Sequence, residues 1–66
     1  MADHPLQGRE VIFELQSIGQ YVKITAMDTA TMTEVVIQGP ATASEAVLKA
    51  NAARKLEYIL RKKGLI

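Results

Sequence analysis

A chain of 66 residues holds one domain at most, and at that size it buries only about 60% of the surface it exposes when unfolded, so its core must be thin. With no cysteine and one histidine, neither a disulfide nor a zinc site can staple that core, which leaves self-association as the remaining stabiliser and favours a reducing, cytoplasmic setting. The net charge of +1 hides a split: residues 1–41 carry two basic against five acidic side chains, a balance of −3, and residues 42–66 carry six against two, a balance of +4. That split permits an anionic partner at the C-terminal end and equally permits attraction between copies.

Residues 1–8 carry no apolar period and read as a disordered tail. The start Met1-Ala2-Asp3-His4-Pro5 lacks the basic and apolar stretches of a signal peptide, and no run approaches the roughly 20 apolar residues of a membrane span, so no membrane is expected as a partner.

A single βββα domain is expected over 9–66. In 9–17 the apolar Val11, Phe13 and Leu15 alternate with Glu10, Glu14 and Gln16, the period of two of a half-buried strand. The stretch 20–28 repeats the period on even positions. Pairing Ser17 with Gln20 around Ile18-Gly19 sets Leu15 against Val22, Phe13 against Ile24 and Val11 against Ala26, with Glu14 against Lys23 on the other face. Turn-forming side chains fill 28–33, and 33–39 resumes as a third strand with Val35 and Ile37 inward, opposite Ala26 and Ile24. Gly39-Pro40 is expected to end the sheet. The fold class is therefore α+β: a three-stranded antiparallel meander in the order 1-2-3, followed by one helix over about 43–63 packed on one face.

Thr42-Ala43-Ser44-Glu45 has the form of a capping box with Thr42 as N-cap. Gly64 followed by Leu65 fits a Schellman stop in which Leu65 folds back on Leu60. At 100° per residue Leu48, Ala52, Leu56 and Ile59 fall on one side, the stripe expected to cover the sheet.

No catalytic constellation is evident. His4 sits in the tail with nothing to orient it. Glu10 and Glu14 stand about 13 Å apart along one strand, too far for a glycosidase pair. No cofactor, metal ligand or small-molecule substrate is expected.

Two surfaces are candidates for interaction. Arg54, Lys55, Tyr58, Arg61 and Lys62 share a helix face on which basic and aromatic groups interleave, an arrangement that can hold phosphates and stack a base. Cations in a last helical turn also complement the helix dipole, and a small domain needs a charged surface. The open face of the sheet is expected to place Ile12, Thr25 and Val36 in one row beside Glu14, Lys23 and Gln38, and neither outer strand contains a proline to block edge pairing.

Three strands then a helix, with Ser44-Glu45-Ala46-Val47-Leu48-Lys49 followed by Ala50-Asn51-Ala52-Ala53, resembles the C-terminal half of double-stranded RNA-binding domains. That family's paired phosphate-gripping lysines would fall on Glu45 and Ala46 here, and its first helix has no counterpart in the tail. The segments Glu10-Val11-Ile12-Phe13-Glu14, Val22-Lys23-Ile24-Thr25-Ala26-Met27-Asp28, Thr33-Glu34-Val35 with Gly39-Pro40, Ser44-Glu45 and Arg54-Lys55-Leu56-Glu57-Tyr58 resemble a small bacterial family of about this length that is known as a domain of unknown function. This resemblance implies a bacterial cytosolic protein of three strands and a helix, and it carries no site residues.

The expected function is a non-enzymatic cytosolic interaction domain that forms a homodimer or binds a protein partner. Weak nucleic-acid binding along the basic helix face, and a role as regulatory subunit of an enzyme, are the alternatives.

Overall fold

A computed structural model describes residues 8–66; the expected tail, His4 included, lies outside the described residues except for Gly8. Strands β1 (Val11–Ile18), β2 (Tyr21–Asp28) and β3 (Thr33–Pro40) form one antiparallel sheet in the order β1-β2-β3, and helix α1 (Glu45–Lys62) follows. The α+β meander with a C-terminal helix is thus the observed architecture.

The β2–β3 register is the one expected, with Ala26 opposite Val35 and Ile24 opposite Ile37. The β1–β2 register is not. Phe13 pairs with Ala26, Leu15 with Ile24 and Ser17 with Val22, a slide of two residues from the expected pairing. The turn decides it: the hairpin closes on Gly19-Gln20, where Gly19 takes φ +59, as a Gly-first two-residue turn requires. Centring the turn on Ile18-Gly19 would have asked a β-branched residue to take that conformation. Because the slide is an even number, every side chain keeps its face. Glu14, however, now meets Thr25, and Lys23 meets Gln16.

The sheet ends at Gly39-Pro40 as expected, although β3 runs one residue past the expected 33–39 and Pro40 still pairs with Tyr21. A proline is tolerated there because β3 is an edge strand. Gly39 serves the helix: a Cβ at this position would overlap the side chain of Leu48, so the missing side chain lets the first turns of α1 approach the sheet.

The N-cap is Ser44, not Thr42. A turn closed by the Ala43 amide on the Pro40 carbonyl (3.0 Å) takes up Ala41 and Thr42, and the Ser44 hydroxyl then accepts the Val47 amide at 3.2 Å. Glu45 is left at the first helical position, where it meets the positive end of the helix dipole and pairs with Lys49 at 2.9 Å. The stop is as expected: Gly64 at φ +72 allows its own amide to reach Arg61 O (3.0 Å) and the Leu65 amide to reach Leu60 O (2.8 Å), the two bonds of a Schellman motif.

The helix buries Leu48, Ala52, Leu56 and Leu60 against Ile24, Ala26 and Val35. Leu60 replaces the expected Ile59, which is half-buried. The buried row steps by four residues throughout, as it does when one ridge of a helix lies along a sheet. That row sits over β2 and β3. The inner face of β1 is covered only in part, and its burial fades from Phe13 towards the hairpin.

Candidate interaction surface

Antiparallel pairing turns the backbone groups of alternate residues towards the neighbouring strand and those of the residues between them away from it. The Thr29 amide bonds Glu10 O at 3.1 Å, and with the observed register this assigns the even residues of β1 to β2. The N–H and C=O groups of Val11, Phe13, Leu15 and Ser17 therefore point out of the sheet edge. Among the described residues none of these eight groups meets a partner.

The other edge is different. The Ala41 amide bonds Gln20 O at 2.8 Å, which turns Glu34, Val36, Gln38 and Pro40 outward. Lys55 Nζ donates to Val36 O at 3.2 Å, Pro40 O accepts the Ala43 amide, and Pro40 has no N–H to offer. A lysine and a proline are two devices by which natural sheets discourage pairing at an edge. The expectation that both outer strands lack a blocking proline thus holds for β1 alone.

Apolar side chains gather beside the unblocked edge. Leu15 is 36% exposed on the inner face, and Ile12 and Ile18 are 48% and 49% exposed on the outer face. Ile12, Thr25 and Val36 do lie on the open face, but not in one row: Thr25 and Val36 pair with each other, while Ile12 is opposite Met27. The outer row nearest the hairpin is Ile18-Tyr21-Pro40, largely apolar.

On the helix face, Arg54, Lys55, Tyr58, Arg61 and Lys62 are all exposed. Three of the four cations are engaged within the fold. Lys55 holds the β3 carbonyl, Arg61 Nε meets Glu57 at 3.2 Å, and Lys62 Nζ lies 6.0 Å from the centre of the Tyr58 ring. Glu57, four residues before Arg61, brings a carboxylate to this face. Arg54 has no ionic or hydrogen-bonding partner among the described residues.

One buried charge was not anticipated. The fully buried Asp28 receives Arg9 through two parallel bonds, Nε to Oδ1 at 3.1 Å and Nη2 to Oδ2 at 2.9 Å, the fork geometry that suits guanidinium to carboxylate. Oδ2 also accepts the Thr31 amide (3.2 Å) and hydroxyl (2.6 Å). The Thr31 hydroxyl has then given its proton, so Thr33 donates to it across 2.8 Å. Arg9 first, then Thr31, hold the Asp28 carboxyl down at about 2, against the opposing effect of burial. No buried side-chain oxygen or nitrogen of the cluster is left without a partner, and the cluster acts as a clamp joining the segment before β1 to the β2–β3 loop. Its sequence signal was available: Asp28 continues the inward phase of Val22, Ile24 and Ala26, and an inward carboxylate requires a cation.

Among the described residues no pocket opens, no group of three metal-ligating side chains assembles, and no helix is long and apolar enough to cross a membrane. Searches of curated proteins and of solved structures return no match. A sequence family described as "Domain of unknown function (DUF6898)" matches residues 8–63, a span that contains the whole sheet and helix described above, and the chain belongs to that family.

Proposed function

We propose that this chain is a non-enzymatic, cytoplasmic interaction domain whose partner is a second copy of itself. The observation that carries the reading is the asymmetry of the sheet edges: β3 carries Lys55 on its Val36 carbonyl and ends in Pro40, whose carbonyl is taken by the turn into the helix, while β1 carries neither device and presents outward backbone groups over Val11 to Ser17 with exposed Leu15, Ile12 and Ile18 around them. A strand left in that condition is a template for pairing, and a thin core without disulfides gains from the added burial. The absence of cysteine and the single histidine outside 9–66 support the cytoplasmic and non-enzymatic parts of the reading.

Sedimentation equilibrium over the micromolar range tests it: the apparent mass rises from the 7.2 kDa of one chain towards twice that value. A single-chain mass at every concentration removes the proposal. Nucleic acid is the less supported partner, because Lys55, Arg61 and Lys62 are engaged within the fold.

A further inference from the structure

We infer that two copies join through β1 in antiparallel register centred on Leu15, making one continuous six-stranded sheet. The inference rests on the self-association reading above and adds its geometry. A two-fold interface pairs residue i with j and j with i, and only residues whose backbone groups point out of the edge can exchange hydrogen bonds. Those are the odd residues of β1, so odd must meet odd.

Charge and apolar matching then separate the registers. Centring on Glu14 sets two carboxylates directly opposite each other, a repulsive pairing. Centring on Phe13 sets Ile12 against Glu14 of the second copy on the outer face, an apolar group against a charge. Centring on Leu15 sets Ile12 against Ile18 and Glu14 against Gln16 on the outer face, and Leu15 against itself and Phe13 against Ser17 on the inner face. Each exposed apolar side chain of β1, Ile12, Leu15 and Ile18, then has an apolar neighbour or its own copy, and the one charge meets an amide. This register covers Leu15, Ile12 and Ile18, the exposed apolar side chains of the strand. It also gives the amides of Phe13, Leu15 and Ser17 an acceptor each. The hairpin at Gly19-Gln20 limits any pairing further along, and α1 does not obstruct the edge because it lies over β2 and β3.

The chain contains no cysteine, so introduced thiols report on single positions. Ile12 and Ile18 are exposed, and exchanging them leaves the buried core untouched. Opposed outer-face residues of this register form non-hydrogen-bonded pairs with Cα atoms about 4.5 Å apart, inside the range a disulfide spans. Two copies of residue 12 would stand about 20 Å apart. Equimolar nitrogen-15-labelled Ile12→Cys and unlabelled Ile18→Cys chains are mixed, oxidised mildly and analysed by mass, the label separating the mixed product from the two like-with-like products, with sedimentation of the unmodified chain alongside. The 12–18 cross-linked product should dominate and each variant alone should cross-link slowly. Self-association of the unmodified chain with a mixed product no greater than the half given by random collision overturns the register and leaves the broader reading standing. A single-chain mass for the unmodified protein overturns both.

Discussion

Truncating Leu56 to alanine should remove most of the domain's stability. Leu56 is fully buried at the middle of the helix row that faces Ile24, Ala26 and Val35. The substitution takes away three carbon atoms, about 2.4 kcal/mol of transfer free energy at about 0.8 kcal/mol each, and the unfilled space brings the total into the range of about 2 to 5 kcal/mol. A domain of this length is stable by about 3 to 10 kcal/mol in all. Taking a loss of about 3 kcal/mol, the melting temperature falls by about 12 to 24 °C. Leu60→Ala should behave similarly, Ile59→Ala should cost clearly less because Ile59 is only half-buried, and Lys55→Ala should stay within about 0.5 kcal/mol. Thermal and urea unfolding by circular dichroism, at one fixed protein concentration because association shifts the midpoint, give the four values. Ile59→Ala costing more than Leu60→Ala would mean that the helix is rotated from the orientation described. Equal midpoints for Leu56→Ala and Lys55→Ala would mean that this row does not face the sheet.

Gly39→Ala forces a methyl into the Leu48 side chain and should cost about 1 to 3 kcal/mol by overpacking; in a Leu48→Ala background most of that cost should vanish, which a double-mutant cycle on urea midpoints reads. Asp28 titrates at about 2 in the fold against 3.8 ordinarily. As pH falls the unfolded chain therefore takes up that proton first, and the stability contributed by the Arg9–Asp28 clamp is lost from about pH 4 down through about pH 2. Asp28→Asn should flatten this acid limb in pH-dependent unfolding. Duplex oligonucleotide titrated at low salt should leave the amide shifts of Arg54, Tyr58, Arg61 and Lys62 in place; displacement along that face, fading with salt, would restore nucleic acid as the partner.

The fold was legible where periodicity alone suffices, and obscure where one backbone conformation or one long side chain decides. A period of two assigns faces, so Val11, Phe13, Leu15, Val22, Ile24 and Ala26 all point where the alternation put them, yet it is blind to a slide of two residues. Only the positive φ of Gly19 separates the two registers. At the helix start, Thr42 and Ser44 are chemically equivalent caps, and the turn closed on Pro40 O chooses between them. Ile59 and Leu60 are adjacent apolar residues, and the orientation of α1 on the sheet ranks them. Asp28 could have been found from its inward phase and was instead read as a turn former. The difference between the two edges was the hardest part to see, because it depends on β3 running through Pro40 and on Lys55 reaching Val36 O.

Amide hydrogen exchange along β1 reads the proposed interface residue by residue. In the single chain the Glu14 and Gln16 amides are bonded to β2 and exchange slowly, while those of Phe13, Leu15 and Ser17 face solvent and exchange fast. Raising the protein from low to high micromolar should slow Phe13, Leu15 and Ser17 together, leaving Glu34 and Gln38 on the opposite edge unchanged. Exchange at those three β1 amides that does not depend on concentration, or protection that develops along β3 instead, would contradict assembly through β1.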